Sequence, residues 1–142
     1  MAETNPHITP ENIRERIAGA FPDRIGVEPL EITDEYARGR IVVDERHLHP
    51  GKVVHGGAWI GLMDTVGAWQ TFRHLPPGYD MTTVEMKLNV FGAAREGDEL
   101  IATAETLHRG RSTHVIQVRA HRGDRLLANL LLTNFILAPK DA

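Results

Sequence analysis

The feature that most restricts the fold is an apolar stretch, Val53 to Trp69, in which Asp64 is the only Asp, Glu, Lys or Arg. From Gly56 to about His74, apolar residues recur every three or four positions, which predicts one long helix. Each interior glycine, such as Gly61 or Gly67, costs a helix about 0.5–1 kcal/mol relative to alanine. Tertiary burial must therefore hold this helix, and the glycines leave room for a sheet that wraps around it.

The segments on either side of this helix have strand patterns. Two short segments, VEPLEIT and YARGRIVVDE, precede it, and the alternating segment TTVEMKLNVF follows. In that segment Val84 and Met86 are predicted to face one side, and Thr83 the other. Turn signals then separate LIATAETL, THVIQVRA and LLANLLLTNFIL, which predicts four strands in an antiparallel meander after the helix. The pattern indicates an α+β fold in which an antiparallel sheet curls around one central helix.

The N-terminal region has the signals of a separate helix. Thr9 is a typical N-cap and Pro10 a typical first helical residue, and Pro22 is predicted to end the helix. We therefore expect an N-terminal helical extension over residues 1–24 and one domain over residues 25–142. A chain of 142 residues is long enough to bury a single core.

Composition excludes several classes of function. A formal net charge of −3 argues against broad nucleic-acid binding, which normally needs a basic surface. The absence of cysteine excludes disulfides, thiolate catalysis and cysteine-based metal sites, and it fits a reducing compartment such as the cytoplasm. The N-terminus lacks an apolar signal-peptide core, and LLANLLLTNFIL is too short to span a bilayer, so no membrane association is expected.

The lone carboxylate in the apolar helix needs an explanation, because burying an ionised carboxylate without a partner is costly. Asp64 is either a functional acid or a structural one that is hydrogen-bonded to a neighbouring subunit. Its position is informative, because it follows the His55-Gly56-Gly57 motif by eight residues counted from Gly56.

These residues carry a resemblance. Together with TTVEMKLNVF, REGDEL and RGRS, the motif and its acid resemble the hot-dog-fold acyl-CoA thioesterases of the phenylacetate-degradation and 4-hydroxybenzoyl-CoA thioesterase type. The resemblance covers about residues 25–138. It implies hydrolysis of an acyl-CoA thioester, with coenzyme A as part of the substrate and no separate cofactor or metal. It also implies dimers of hot dogs that are often paired into tetramers.

The resemblance assigns catalytic roles to five positions. Gly56 matches the oxyanion-hole donor, Asp64 the catalytic carboxylate and His55 the histidine before the double glycine. His49 stands where the family usually has Asn or Gln, a departure from the family pattern. Thr83 occupies the place of a small hydroxyl residue near the site.

Substrate contacts are expected at a further set of residues. Gly57 leaves room for the acyl group, and Ala68 stands where some relatives have Ser or Thr. Trp59, Met63 and Trp69 offer limited apolar volume, which favours small aromatic or short to medium acyl groups. Phosphates of coenzyme A are expected at the turn LHRGRS, through Arg109, Arg111 and Ser112.

The chemistry of thioester hydrolysis fits these groups, provided that two chains form the site. The first N–H groups of a helix lack internal acceptors, so the Gly56 N–H can stabilise an oxyanion. Asp64 can act as a base for water or as the nucleophile. Eight residues along one helix separate the two by about 12 Å, too far to serve one carbonyl. Antiparallel helices across a twofold interface would bring Gly56 of one chain to Asp64 of the other.

Several alternatives remain open at this point. The glycines can be mere helix openers, His55 a loop hydrogen-bonding group, and the turn arginines solvated charges. A metal site is conceivable from His47, His49 and His55 with Asp64. A hot-dog hydratase is a second enzyme class, although Trp69 stands where its histidine would be. A non-catalytic acyl-CoA-binding module is the third alternative.

Overall fold

The long helix predicted in the middle of the chain is present. The computed structural model describes residues 4–141, in which the elements are α1 (Pro10–Ile17), α2 (Phe21–Arg24), β1 (Glu28–Ile32), β2 (Ala37–Val42), α3 (Gly56–Arg73), β3 (Asp80–Val90), β4 (Glu99–Arg109), β5 (Thr113–Arg122) and β6 (Arg125–Leu137). The central helix α3 begins at Gly56 as predicted and ends one residue before His74, which forms its C-cap. No helix in this part of the chain is long and apolar enough to cross a membrane.

The six strands form one antiparallel sheet in the order β1-β2-β4-β5-β6-β3. The α+β architecture is confirmed, but the meander of four consecutive strands is wrong, because β3 pairs with β6 rather than with β4. Short turns join β4, β5 and β6, whereas residues 91–98 carry the chain from one edge of the sheet to the side of β2. Two backbone hydrogen bonds fix this crossing, Val54 N–H to Ala94 O (2.9 Å) and Gly97 N–H to Val43 O (2.8 Å).

The core lies between α3 and the sheet. Buried α3 residues such as Trp59, Leu62 and Val66 pack in one cluster with residues of the central strands. A Cβ on Gly67 would lie 2.4 Å from Leu132 Cδ2, so the expected close approach of sheet and helix is confirmed there. Gly61 instead meets Ile25 and Phe21, so its space is taken by the N-terminal region.

A β-bulge interrupts β3 in the middle of its predicted alternation. Thr83 is paired with Asn134 and Glu85 with Thr133, so Val84 is the extra residue. The bulge reverses the predicted faces at this point: the side chain of Val84 is 56% exposed, and Thr83 turns toward α3. Burial alternates on each side of the bulge, from Asp80 to Val84 and from Glu85 to Asn89, whereas Val90 is exposed against the prediction.

The N-terminal helix is shorter than predicted. Thr9 caps α1 and Pro10 begins it, as expected, but α1 ends at Ile17. Pro22 does not end a helix, because it lies in the first turn of α2, where proline is well tolerated. The division into residues 1–24 and 25–142 stays a prediction, and residues 1–3 and 142 lie outside the described residues.

Candidate active site

Asp64 lies half-buried on the third turn of α3, facing β3. The Thr83 hydroxyl, which the bulge directs inward, donates a hydrogen bond to Asp64 Oδ1 (2.9 Å). Burial raises the pKa of Asp64 above the ordinary range of an aspartate, and the bond from Thr83 partly opposes this rise. The carboxylate is therefore a stronger base than a solvated aspartate.

A buried polar network supports Thr83 from behind. Thr83 Oγ1 also lies 3.1 Å from Asn134 Oδ1, and the Asn134 amide donates to Thr71 Oγ1 (2.7 Å). Asn134 and Thr71 are fully buried. The sequence interpretation missed both residues, although polar side chains within LLLTNFIL and on an apolar helix were a visible signal. The Thr83 hydroxyl has a single proton for two acceptors, Asp64 Oδ1 and Asn134 Oδ1, and the hydrogen bond from Asn134 to Thr71 fixes the second of these acceptors.

The N-terminus of α3 presents a donor for a ligand. His55 is the N-cap, and its Nδ1 accepts from the Gly57 N–H (2.8 Å). Within residues 4–141 no acceptor is paired with the Gly56 N–H. His55 thus satisfies the second N–H of the helix and leaves the first one available.

His49 and Gly56 line the same pocket, which has a volume of about 450 Å³. His49 Nδ1 accepts from the Gly51 N–H (2.8 Å), so its other ring nitrogen remains available to a ligand. Trp59 borders this pocket, although its side chain is only 1% exposed.

A second, larger pocket of about 600 Å³ lies beside Asp64. Thr83 and Ala68 line it near the carboxylate, and Trp69 lines it further along α3. Met63, in contrast, is fully buried in the core, and the structure does not bring it to either pocket. The wall opposite α3 comes from α1 and α2, a contribution that the sequence interpretation did not foresee.

Gly56 and Asp64 therefore line different pockets of the same chain. Their separation of eight residues on one straight helix corresponds to about 12 Å. One chain by itself does not bring the donor and the carboxylate to a single carbonyl group.

The predicted arginine turn joins β4 to β5, and Arg109, Arg111 and Ser112 are exposed there. Arg109 Nη1 contacts His74 Nδ1, the C-cap of α3. His114 lies beside them, 3% exposed, and burial lowers its pKa to about 4. The two arginines border a small pocket together with these histidines, a cluster that the sequence interpretation did not identify.

The histidines considered for a metal site do not converge. His47 is buried, where Nδ1 accepts from the Asp44 N–H and Nε2 lies 2.6 Å from Ile25 O. His55 Nδ1 is occupied in capping α3. Across residues 4–141, no group of three or more His, Asp or Glu side chains is arranged to hold a metal ion.

Comparison with known proteins identifies the family. The family model of the thioesterase superfamily matches residues 51–129, from the loop before α3 into β6. The chain belongs to the thioesterase superfamily. A provisionally named esterase of Pseudomonas aeruginosa is 34% identical to this thioesterase-superfamily chain over 88 residues, which are 61% of this chain and 65% of the relative. The chain spans just under two thirds of the length of this and a second curated relative.

Solved structures of thioesterases share the fold. A thioesterase of Haemophilus influenzae superposes with a TM-score of 0.88 at 22% identity, covering 96% of this chain and 94% of the other. A hypothetical thioesterase of Streptococcus pneumoniae, solved with coenzyme A, superposes with a TM-score of 0.74 at 23% identity, covering 80% and 88%. These likenesses confirm the hot-dog fold for this thioesterase-superfamily protein.

Proposed function

We propose that this protein is an acyl-CoA thioesterase of the phenylacetate-degradation and 4-hydroxybenzoyl-CoA thioesterase type, which hydrolyses a thioester to a free acid and coenzyme A. The observation that carries the proposal is Asp64, a half-buried carboxylate with a raised pKa, held by Thr83 at the side of a mostly apolar pocket. Membership of the thioesterase superfamily supports the reaction class. The structure of the Streptococcus pneumoniae protein with coenzyme A supports coenzyme A as the thiol part of the substrate.

In the proposed reaction the Gly56 N–H binds the thioester oxygen while Asp64 promotes attack on the carbonyl carbon. As a base, Asp64 takes a proton from a water molecule while the water oxygen bonds to the carbonyl carbon. The C–S bond then breaks and releases the thiolate of coenzyme A. As a nucleophile, Asp64 displaces the thiolate to form an anhydride that water hydrolyses. His55 and His49 lie near the oxyanion donor, where a ring N–H can assist in orienting the thioester.

The proposed site needs two chains. A second copy with its α3 antiparallel to the first would bring its Gly56 to the Asp64 pocket, so that each dimer holds two sites. Gly57 then lies beside the acyl group, and dimers pair into tetramers. Coenzyme A extends to the exposed turn where Arg109, Arg111 and Ser112 can bind its phosphates. A cytoplasmic location fits this substrate and stays a prediction.

A panel of acyl-CoA thioesters, including phenylacetyl-CoA and 4-hydroxybenzoyl-CoA, tests the proposal when thiol release is followed with a trapping dye. We expect Asp64→Asn to lower kcat at least about 100-fold, within the range for loss of a general base. Full activity of that variant would contradict the proposed mechanism. Loss of enoyl absorbance without thiol release would favour a hydratase, and tight binding without turnover a non-catalytic module.

The oxyanion donor has a matched pair of test variants. Gly56→Pro removes the N–H at a position where proline is favoured, and His55 before it already has φ −66° and ψ 144°, as a residue before proline prefers. Gly56→Ala keeps the N–H, and its Cβ would meet nothing within 4 Å. We expect the proline variant to lose about 100- to 1,000-fold in kcat and the alanine variant to stay within a few-fold. Equal activity of both would exclude Gly56 as the donor.

A further inference from the structure

The pocket beside Asp64 has an unexpected composition at its far end. Of the residues that line it, Asp64 and Arg16 are the only charged ones. Arg16 comes from α1, outside the matched family region of residues 51–129. Arg16 is an exposed residue of the pocket lining, and arginine recognises planar anions such as carboxylates through paired hydrogen bonds.

The side chain of Arg16 is free to bind a ligand. Within residues 4–141 no carboxylate or carbonyl oxygen accepts a hydrogen bond from its side chain, whereas Arg14 on the same helix donates to Pro29 O (2.9 Å). Nor does Arg16 neutralise the catalytic carboxylate: burial and the Thr83 hydrogen bond are the causes of the shift in the pKa of Asp64.

The pocket runs along α3 from the carboxylate toward the C-terminal end of the helix. Asp64, Ala68 and Phe72 line it at intervals of four residues, one face of the helix over about 12 Å. The small side chain of Ala68 leaves the passage open between the other two. Phe72 and Arg16 also border a neighbouring pocket of about 160 Å³, so Arg16 lies at the level of Phe72, at the end away from Asp64.

We propose that Arg16 selects acyl groups that carry a carboxylate at the end remote from the thioester. This inference rests on the proposed function, since it places the thioester carbonyl at Asp64 and the acyl chain along Ala68 and Phe72. The remote carboxylate would then meet the guanidinium at the pocket end. Ile13 and Ile17 flank Arg16 on α1 and supply the apolar wall for the chain between the two charged groups. The substrate class is the coenzyme A monothioester of a medium-length dicarboxylic acid.

The test compares octanoyl-CoA with octanedioyl-CoA, which differ only in the terminal carboxylate. For the wild-type protein we expect kcat/KM to be about tenfold higher for octanedioyl-CoA. Arg16→Gln should bring the ratio of the two kcat/KM values to about one, and Arg16→Glu should reverse the preference. Raising the salt concentration should weaken the preference, because ions screen a partly exposed charge pair.

The matched control is Arg24→Gln, which removes an exposed arginine from the neighbouring α2 outside the pocket. It should leave the preference intact. A wild-type preference for octanoyl-CoA, or an unchanged ratio in Arg16→Gln, would overturn the inference. An equal loss on both substrates would also overturn it, because it would assign Arg16 to coenzyme A rather than to the acyl group.

A binding measurement separates this inference from the proposed function. If no thioester of the whole panel is hydrolysed, the proposed function fails, and calorimetric titration with two non-hydrolysable thioethers then decides the inference. S-(7-carboxyheptyl)-CoA should bind about tenfold more tightly than S-octyl-CoA to the wild-type protein and equally tightly to Arg16→Gln. Equal binding of the two thioethers to the wild-type protein would overturn it.

Discussion

The chemistry of the candidate site depends on how one side chain is solvated. Asp64 lies in an apolar helix and receives a hydrogen bond from Thr83. Burial raises the pKa of its carboxyl group, and Thr83 limits the rise. These two opposing effects together set the pH above which the Asp64 carboxylate is ionised, the state that the proposed base or nucleophile requires.

Replacing Thr83 with valine should shift the pH dependence of hydrolysis. The hydroxyl stabilises the ionised carboxylate, so its loss raises the pKa of Asp64 further, and activity should begin to fall at a higher pH on the acid side. The measurement is kcat/KM against pH for the best thioester of the panel. Thr83→Ser keeps the hydroxyl and should retain the wild-type profile. A valine variant with an unshifted acid limb would show that Thr83 does not act on Asp64.

Replacing Asp64 with asparagine should stabilise the fold while it removes activity. A carboxyl group whose pKa is raised in the folded state stabilises the protein at low pH and loses that contribution as pH rises through its folded pKa. We therefore expect Asp64→Asn to gain about 1 kcal/mol at pH 8. The gain should shrink toward pH 4, because the folded carboxyl group takes up its proton as pH falls through its raised pKa. Urea unfolding at the two pH values checks this, and a destabilised variant at pH 8 would contradict it.

The sequence alone predicted those candidate site residues that stand out from their local surroundings. Asp64 is a lone acid in an apolar helix, and Gly56 belongs to the His55-Gly56-Gly57 motif on which the family resemblance depends. The sequence did not reveal Asn134, because its role depends on the Thr83 hydroxyl, which lies beside it only once β3 has paired with β6. Nor could it show that Met63 points into the core while Ala68 lines the pocket, since neighbouring faces of an all-apolar helix look alike.

At the level of single elements, the bulge in β3 places Thr83 in the site. Perfect alternation would have turned Thr83 away from α3, as the sequence pattern predicted. The extra residue, Val84, changes the phase of the strand, so that Thr83 and Met86 can both face inward. An alternating sequence does not disclose a bulge, because the inserted residue here is itself apolar.

The packing of α3 on the sheet gives a prediction about its glycines. An added methyl on Gly67 would lie 2.4 Å from Leu132 and 3.3 Å from Val118, both fully buried. We expect Gly67→Ala to destabilise the fold by about 1–3 kcal/mol in urea unfolding, despite the better helix propensity of alanine. Gly56→Ala is the control on the same helix, and its free energy of unfolding should change by less than about 0.5 kcal/mol. A neutral Gly67→Ala would show that the core relaxes around the methyl group.

For the whole molecule, the order of the strands in the sheet could not be predicted from the sequence. Six strand segments and the central helix were placed correctly from local patterns, because burial imposes such patterns on each element separately. Pairing of β3 with β6 depends on where residues 91–98 lead the chain, and their composition signals only a connection. Local sequence therefore determines where each strand lies along the chain, whereas the order of the strands depends on the path of the whole chain.

The separation of Gly56 from Asp64 predicts complementation between two inactive variants. Asp64→Asn and Gly56→Pro should each lack activity alone. A dimer that contains one chain of each would hold one intact site, formed by Gly56 of the first chain and Asp64 of the second. Co-refolding equal amounts should restore about a quarter of wild-type activity, since half of the dimers are mixed and each has one of two sites. Mixed dimers, verified by differently sized tags, that stay inactive would exclude a shared site.

The wall that α1 and α2 contribute to the Asp64 pocket lies wholly outside the family region of residues 51–129. Under the proposed function, the reacting groups and the acyl-group preference are thus encoded in different stretches of the sequence. We therefore expect changes in residues 10–24 to alter which acid is accepted without displacing Asp64 or Thr83. Chimeras that exchange only this leading segment between relatives offer a direct route to new substrate ranges.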